Sequence, residues 1–204
     1  MIDPSILTLV AITDGMRDGA DALLARAVAA ARGGVTMLQL RLKDVDARTQ
    51  VEVARRVVAS VEIPVIVNDR ADIALAAGAA GVHVGANDIP VAAVRRIAPA
   101  GFLIGASVGA DAEVEGARGA DYVGVGPVYV TASKADAGAA LGVEGAARLA
   151  RQCGAPAVAI GGISAATAAE VMAAGLAGIA VIQAIFGAAE PEEAARALRA
   201  AIGR

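Results

Sequence analysis

Gly33-Gly34-Val35-Thr36-Met37-Leu38-Gln39-Leu40-Arg41-Leu42-Lys43-Asp44 holds, in one stretch, the unit from which the chain is built. The glycine pair closes a helical pattern, since glycine accepts the backbone that ends a helix before a strand. Met37–Leu40 is then a short, nearly uniformly apolar run, as expected of a strand buried on both faces. Cations follow at once, at Arg41 and Lys43.

Working outward, the same kind of run recurs at Leu7–Ile12, Val65–Val67, Gly81–Val84, Leu103–Ala106, Tyr122–Val125, Ala157–Ile160 and Gly178–Ile182. Helical patterns lie between them, at Ala20–Arg32, Ala47–Ser60, Ala71–Ala77, Pro90–Ile97, Ala110–Arg118, Val143–Gln152, Ala165–Ala173 and Pro191–Ile202. Strands alternating with helices imply parallel pairing through right-handed crossovers. Eight such units predict an α/β, single-domain (β/α)8 TIM barrel spanning residues 1–204, in preference to an open doubly wound sheet. No Pro/Ser-rich linker divides the chain.

Composition removes several function classes. A chain of 204 residues with 57% hydrophobic and 19% charged residues is neither disordered nor too short for a full core. A net charge of −3 with only short basic runs gives no nucleic-acid surface. Val171 to Ala189 carries no charge, but it is rich in Ala and Gly and divides at Gly175 and Gly178, so no membrane span is expected. A single cysteine, Cys153, and an N-terminal stretch without a basic region before an apolar run predict a cytoplasmic protein with no signal peptide.

In this barrel the chemistry sits where strands end and the following loops begin. The residues there are Thr13-Asp14, Gln39 to Asp44, Asn68-Asp69-Arg70, His83 to Asp88, Ser107, Gly126 to Lys134, Gly161 to Ser164, and Ile182-Gln183-Ala184. Arg41, Lys43 and Lys134 are cations, while Asp69 and Asp88 are carboxylates on neighbouring strands. Cations beside two carboxylates point to a diphosphate with Mg²⁺, which takes one or two carboxylates plus phosphate oxygens. Gly161-Gly162 ahead of a helix suits a phosphate as well. Each group also has a plainer reading: Asp69 and Asp88 as helix N-caps, Lys134 as a loop residue, and His83 as a neutral structural histidine. The stretch from Ala132 to Ala140, small-residue rich, reads as a loop that closes over substrate.

The strings Ala11 to Asp14, Gly33 to Asp44, Val67 to Leu75, Gly81 to Gly85, Ala120 to Tyr129 and Ala159 to Ile163 resemble thiamine-phosphate synthases, in order, from about residue 7 to residue 200. The most specific are Gln39-Leu40-Arg41-Leu42-Lys43, Asn68-Asp69-Arg70 and Gly126-Pro127-Val128-Tyr129. The resemblance implies a transferase of thiamine biosynthesis. It would join 4-amino-2-methyl-5-diphosphooxymethylpyrimidine to a thiazole phosphate, carboxylated or not, with Mg²⁺, giving thiamine phosphate and diphosphate. It implies that Gln39, Arg41, Lys43, Asn68, Ser107 and Lys134 hold the pyrimidine diphosphate. Arg41, Lys43, Lys134 and Ser107 would also act in catalysis. Asp69 and Asp88 would hold Mg²⁺; Thr131, Ser133, Gly162, Ile182 and Gln183 would line the thiazole phosphate site. A homodimer is the usual assembly of the family.

The chain departs from that pattern at Leu42, Ala86, Asn87, Gly109, Val130 and Gln183. Two other readings stand beside the synthase: a thiazole tautomerase of the same superfamily, and a non-catalytic binder of thiamine precursors. The tautomerase must move a proton and typically carries His after Gly in the loop following strand 6. Pro127 stands there and cannot titrate.

Overall fold

In a computed structural model, residues 2–131 and 138–203 are described. The apolar runs form β1 (Leu9–Ile12), β2 (Met37–Leu40), β3 (Val65–Asn68), β4 (Gly81–Val84), β5 (Leu103–Val108), β6 (Tyr122–Val125), β7 (Ala157–Ile160) and β8 (Gly178–Val181). Every neighbouring pair is parallel, and β8 returns to β1, so the sheet closes into a barrel. The fold is therefore the expected (β/α)8 barrel.

Its outer layer is α1 (Gly19–Arg32), α2 (Ala47–Val58), α3 (Ala71–Ala77), α4 (Val91–Ile97), α5 (Gly142–Cys153), α6 (Ala165–Ala173), α7 (Gln183–Phe186) and α8 (Pro191–Ile202). Alternate strand residues build two apolar layers. Leu38, Leu40, Val65, Val67, Val82 and Val84 pack outward against helical residues such as Val53 and Ile73. Val10, Ile12, Met37, Ile66, Tyr122, Val158 and Ala180 fill the barrel interior.

Three local expectations are corrected. β1 begins at Leu9, because Pro4–Leu7 forms a 3-10 turn whose Asp3 carboxylate accepts the Ser5 N–H. Ala110–Arg118 is not an α-helix: a 3-10 turn covers Asp111–Glu113, and irregular turns run on to Gly119. Its polar side chains are used elsewhere, with Glu113 accepting the Gly109 N–H and Asp111 pairing with Arg148, and such bonds compete with a helix. The short α7 follows β8 before the expected last helix. Val171 to Ala189 thus folds as a helix end, a strand and a short helix. Among the described residues no helix is long and apolar enough to cross a membrane.

Candidate active site

The interior layer changes character toward the C-terminal ends of the strands. The register sets Ile12 beside Gln39, Asn68 beside His83, and Ser107 beside Gly124, so polar side chains crown an apolar floor. A cavity of about 260 Å³ opens there. Its floor and walls include Val10, Ile12, Tyr122, Val158, Ile160, Ala180 and Ile182, and its rim carries Gln39, Arg41, Lys43, Asn68, Asp69, Asp88 and Ser107. A second hollow lies against α5 and is lined by Val143, Arg148, Arg151 and Ala174.

The rim is held by its own bonds. The Thr13 hydroxyl, fully buried, accepts from the Arg41 N–H at 2.8 Å and donates to the Arg41 carbonyl at 3.1 Å, tying the end of β1 to that of β2. Gln39 Nε2 donates to Asn68 Oδ1 at 2.7 Å, which leaves the Gln39 carbonyl and the Asn68 amide nitrogen available to a ligand. Arg41 is half-buried and Lys43 exposed. Among the described residues neither forms an ion pair, so both positive charges face an anion arriving in the cavity.

Neither Asp69 nor Asp88 caps a helix. Arg70 stands at the N-cap of α3 and Pro90 at that of α4. Asp69 holds a left-handed φ of 64°, and its N–H donates to the His83 carbonyl at 2.7 Å. A non-glycine residue in that region is a strained conformation that clusters at functional sites. Asp88 Oδ2 accepts the Gly85 N–H at 2.7 Å, which aims the carboxylate from the loop after β4. Among the described residues no three His, Cys, Asp or Glu side chains converge as a closed metal cage. Two carboxylates on one rim are oxygen donors of the kind that a hard cation such as Mg²⁺ takes together with substrate oxygens.

Of the residues expected in the thiazole phosphate site, Ile182 lines this cavity. Thr131, Gly162 and Gln183 follow β6, β7 and β8 on the same face but do not line it. Ser133 and Lys134 lie outside the described residues, as does most of the loop from Ala132 to Ala140. Gly161 and Gly162 hold φ of 102° and 66°, and a Cβ on them would meet Pro127 and Tyr129 at 2.6 and 2.7 Å. Gln183 Nε2 donates to Asp14 Oδ2 at 2.6 Å. His83 is buried between Tyr122 and Ser107, with hydrogen bonds of 3.0 Å to each. Tyr122 is not marked as a site residue by the sequence, where it reads as one more member of an apolar strand; its alternation with Gly124 is the signal the sequence carries.

Comparison with known proteins finds relatives along nearly the whole chain. The family described as thiamine monophosphate synthase matches residues 9–185. A thiamine-phosphate synthase of Methanoculleus marisnigri is 48% identical over 175 residues, covering 83% of each chain. One from Xanthobacter autotrophicus is 44% identical, covering 99% of this chain and 98% of its own. The structure of thiamine phosphate pyrophosphorylase from Pyrococcus furiosus superposes with a TM-score of 0.86 at 34% identity, over 98% of this chain and 97% of that one. With a matching family that spans most of the barrel and relatives this similar along nearly its whole length, the chain belongs to the thiamine monophosphate synthase family and is a transferase.

Proposed function

We propose that the chain is a thiamine-phosphate synthase that joins 4-amino-2-methyl-5-diphosphooxymethylpyrimidine to a thiazole phosphate at the cavity described above. The observation that carries the reading is that two cations, Arg41 and Lys43, and two carboxylates, Asp69 and Asp88, line one cavity. Such a rim suits a polyanion and a divalent cation together.

In the reaction the bond between the pyrimidine methylene carbon and the diphosphate oxygen breaks, and its electron pair leaves with diphosphate. The thiazole nitrogen lone pair then forms the new carbon–nitrogen bond. Arg41, Lys43 and Lys134 neutralise the departing charge, which lowers the barrier to a dissociative displacement. Gln39 and Asn68 hold the substrate through the amide groups their mutual bond leaves open. Asp69 and Asp88 would hold Mg²⁺, which when bound offsets the diphosphate charge as a Lewis acid. Thr131, Ser133, Gly162, Ile182 and Gln183 serve the thiazole phosphate. No side chain need act as nucleophile or general base.

The test is direct: purified protein, both substrates and Mg²⁺, with thiamine phosphate measured as product. Product that disappears on chelation and returns with Mg²⁺ supports the reading. Turnover of thiazole isomers without coupling would make the chain a tautomerase; tight binding of precursors with neither reaction would make it a binder.

A further inference from the structure

The chain from Tyr122 through His83 to Ser107 has a direction. Tyr122 is 2% exposed, and burial, followed by the charge of Asp121, pushes its phenol up, so it keeps its hydrogen. Among the described residues its hydroxyl has one hydrogen-bond partner, His83 Nδ1 at 3.0 Å. A buried O–H that donates to nothing is costly, so Nδ1 accepts. A neutral imidazole that accepts at Nδ1 carries its hydrogen on Nε2. Nε2 then donates to Ser107 Oγ at 3.0 Å. With a lone pair of Ser107 so engaged, its own hydrogen is directed to the cavity that Ser107 lines.

The opposite tautomer would reverse the outcome. With its hydrogen on Nδ1, His83 would accept from Ser107, and the hydroxyl would offer the cavity only lone pairs, which repel an oxyanion. The barrel makes room for this chain. A Cβ on Gly105 would collide with Tyr122 Cζ, and one on Gly124 would sit 3.1 Å from His83 Cε1. The two rings lie 5.5 Å apart at 43°, packed against strands stripped of side chains at those points.

We propose that Tyr122 is a positioning residue: through His83 it commits the Ser107 hydroxyl to donating into the cavity, toward an oxyanion of the bound diphosphate. The identity of that oxyanion rests on the reaction proposed above; the polarity of the chain does not.

His83 is the only histidine, so ¹⁵N-histidine labelling gives a spectrum with one imidazole. At about pH 8.5, above the ordinary histidine range, the spectrum is expected to show hydrogen on Nε2 and none on Nδ1. Hydrogen on Nδ1 overturns the proposal, with no variant required. In activity, Tyr122→Phe is expected to raise KM for the pyrimidine diphosphate about three- to tenfold, the worth of one hydrogen bond, leaving KM for the thiazole phosphate unchanged. In a Ser107→Ala background the same substitution should change it less than about twofold, because coupled residues are not additive. An equal effect in both backgrounds sinks the relay. Should Tyr122→Phe not fold, the spectrum of the unaltered protein still decides. Absence of coupling by that protein would overturn the reaction, while the spectrum reads the tautomer independently.

Discussion

Asp69 sits at a φ of 64°, where alanine would be strained but asparagine is tolerated, and Asp88 receives the Gly85 N–H on one carboxylate oxygen. Asparagine therefore keeps the local geometry at both positions while removing the charge. Asp69→Asn and Asp88→Asn are expected to cut turnover by about two to three orders of magnitude, with stability changed by less than about 0.5 kcal/mol in denaturant melts. Near-normal turnover of both variants at limiting Mg²⁺ would remove the carboxylates from the metal site. Gln183 makes a different case. Its amide reaches Asp14 at 2.6 Å, a span that a serine hydroxyl is too short to cover. Gln183→Ser frees Asp14 and should shift KM for the thiazole phosphate while leaving that for the pyrimidine diphosphate in place. Steady-state kinetics with each substrate varied in turn separate the two, and a shift confined to the pyrimidine side would contradict the placement.

The loop after β6 is laid along the end of β7. Val128 N–H donates to the Ile160 carbonyl at 2.8 Å and Tyr129 N–H to the Gly161 carbonyl at 3.0 Å. That contact needs a bare backbone at Gly161, whose φ is 102° and whose Cβ would press on Pro127. Gly161→Ala is therefore expected to cost about 1–3 kcal/mol from strain and overpacking, and to weaken thiazole phosphate binding by displacing the loop that carries Thr131. Urea unfolding and KM report the two effects; a variant as stable as the parent would show that the loop yields freely. The elements themselves were largely legible. The eight strands follow from apolar runs that only a doubly covered sheet can bury. The segment after β5 departs from its sequence pattern: Ala110–Arg118 has helical spacing, yet Gly116 and the side-chain bonds of Asp111 and Glu113 draw it into turns. The short α7 had no periodic signal to announce it, being four residues long.

Across the whole barrel, the two ends of the strands divide the work. At the N-terminal end, Asp121 Oδ2 accepts from the Ile104 N–H at 2.7 Å and from Arg95 at 2.8 Å, which joins α4, β5 and the start of β6. Asp121→Ala leaves a strand N–H unpaired and is expected to cost about 1–3 kcal/mol, with kcat unchanged below the new melting point. Asp88→Asn, at the other end, is expected to do the reverse. Thermal melts beside activity assays test the contrast, and a loss of kcat in stable Asp121→Ala would refute it. The barrel could be derived from the sequence because periodicity and strand count are local properties that parallel pairing converts into one topology. So could the position of Arg41, Lys43, Asn68, Asp69, Asp88 and Ser107 on one face, since each lies near the C-terminal end of a strand or in the loop that follows it. What the tertiary structure alone decided was which of these share a cavity, that neither aspartate caps a helix, and that Tyr122 and Ser107 bracket His83. Those facts depend on register across strands distant in sequence, and on glycines at 105 and 124 whose missing side chains leave room for rings from other strands.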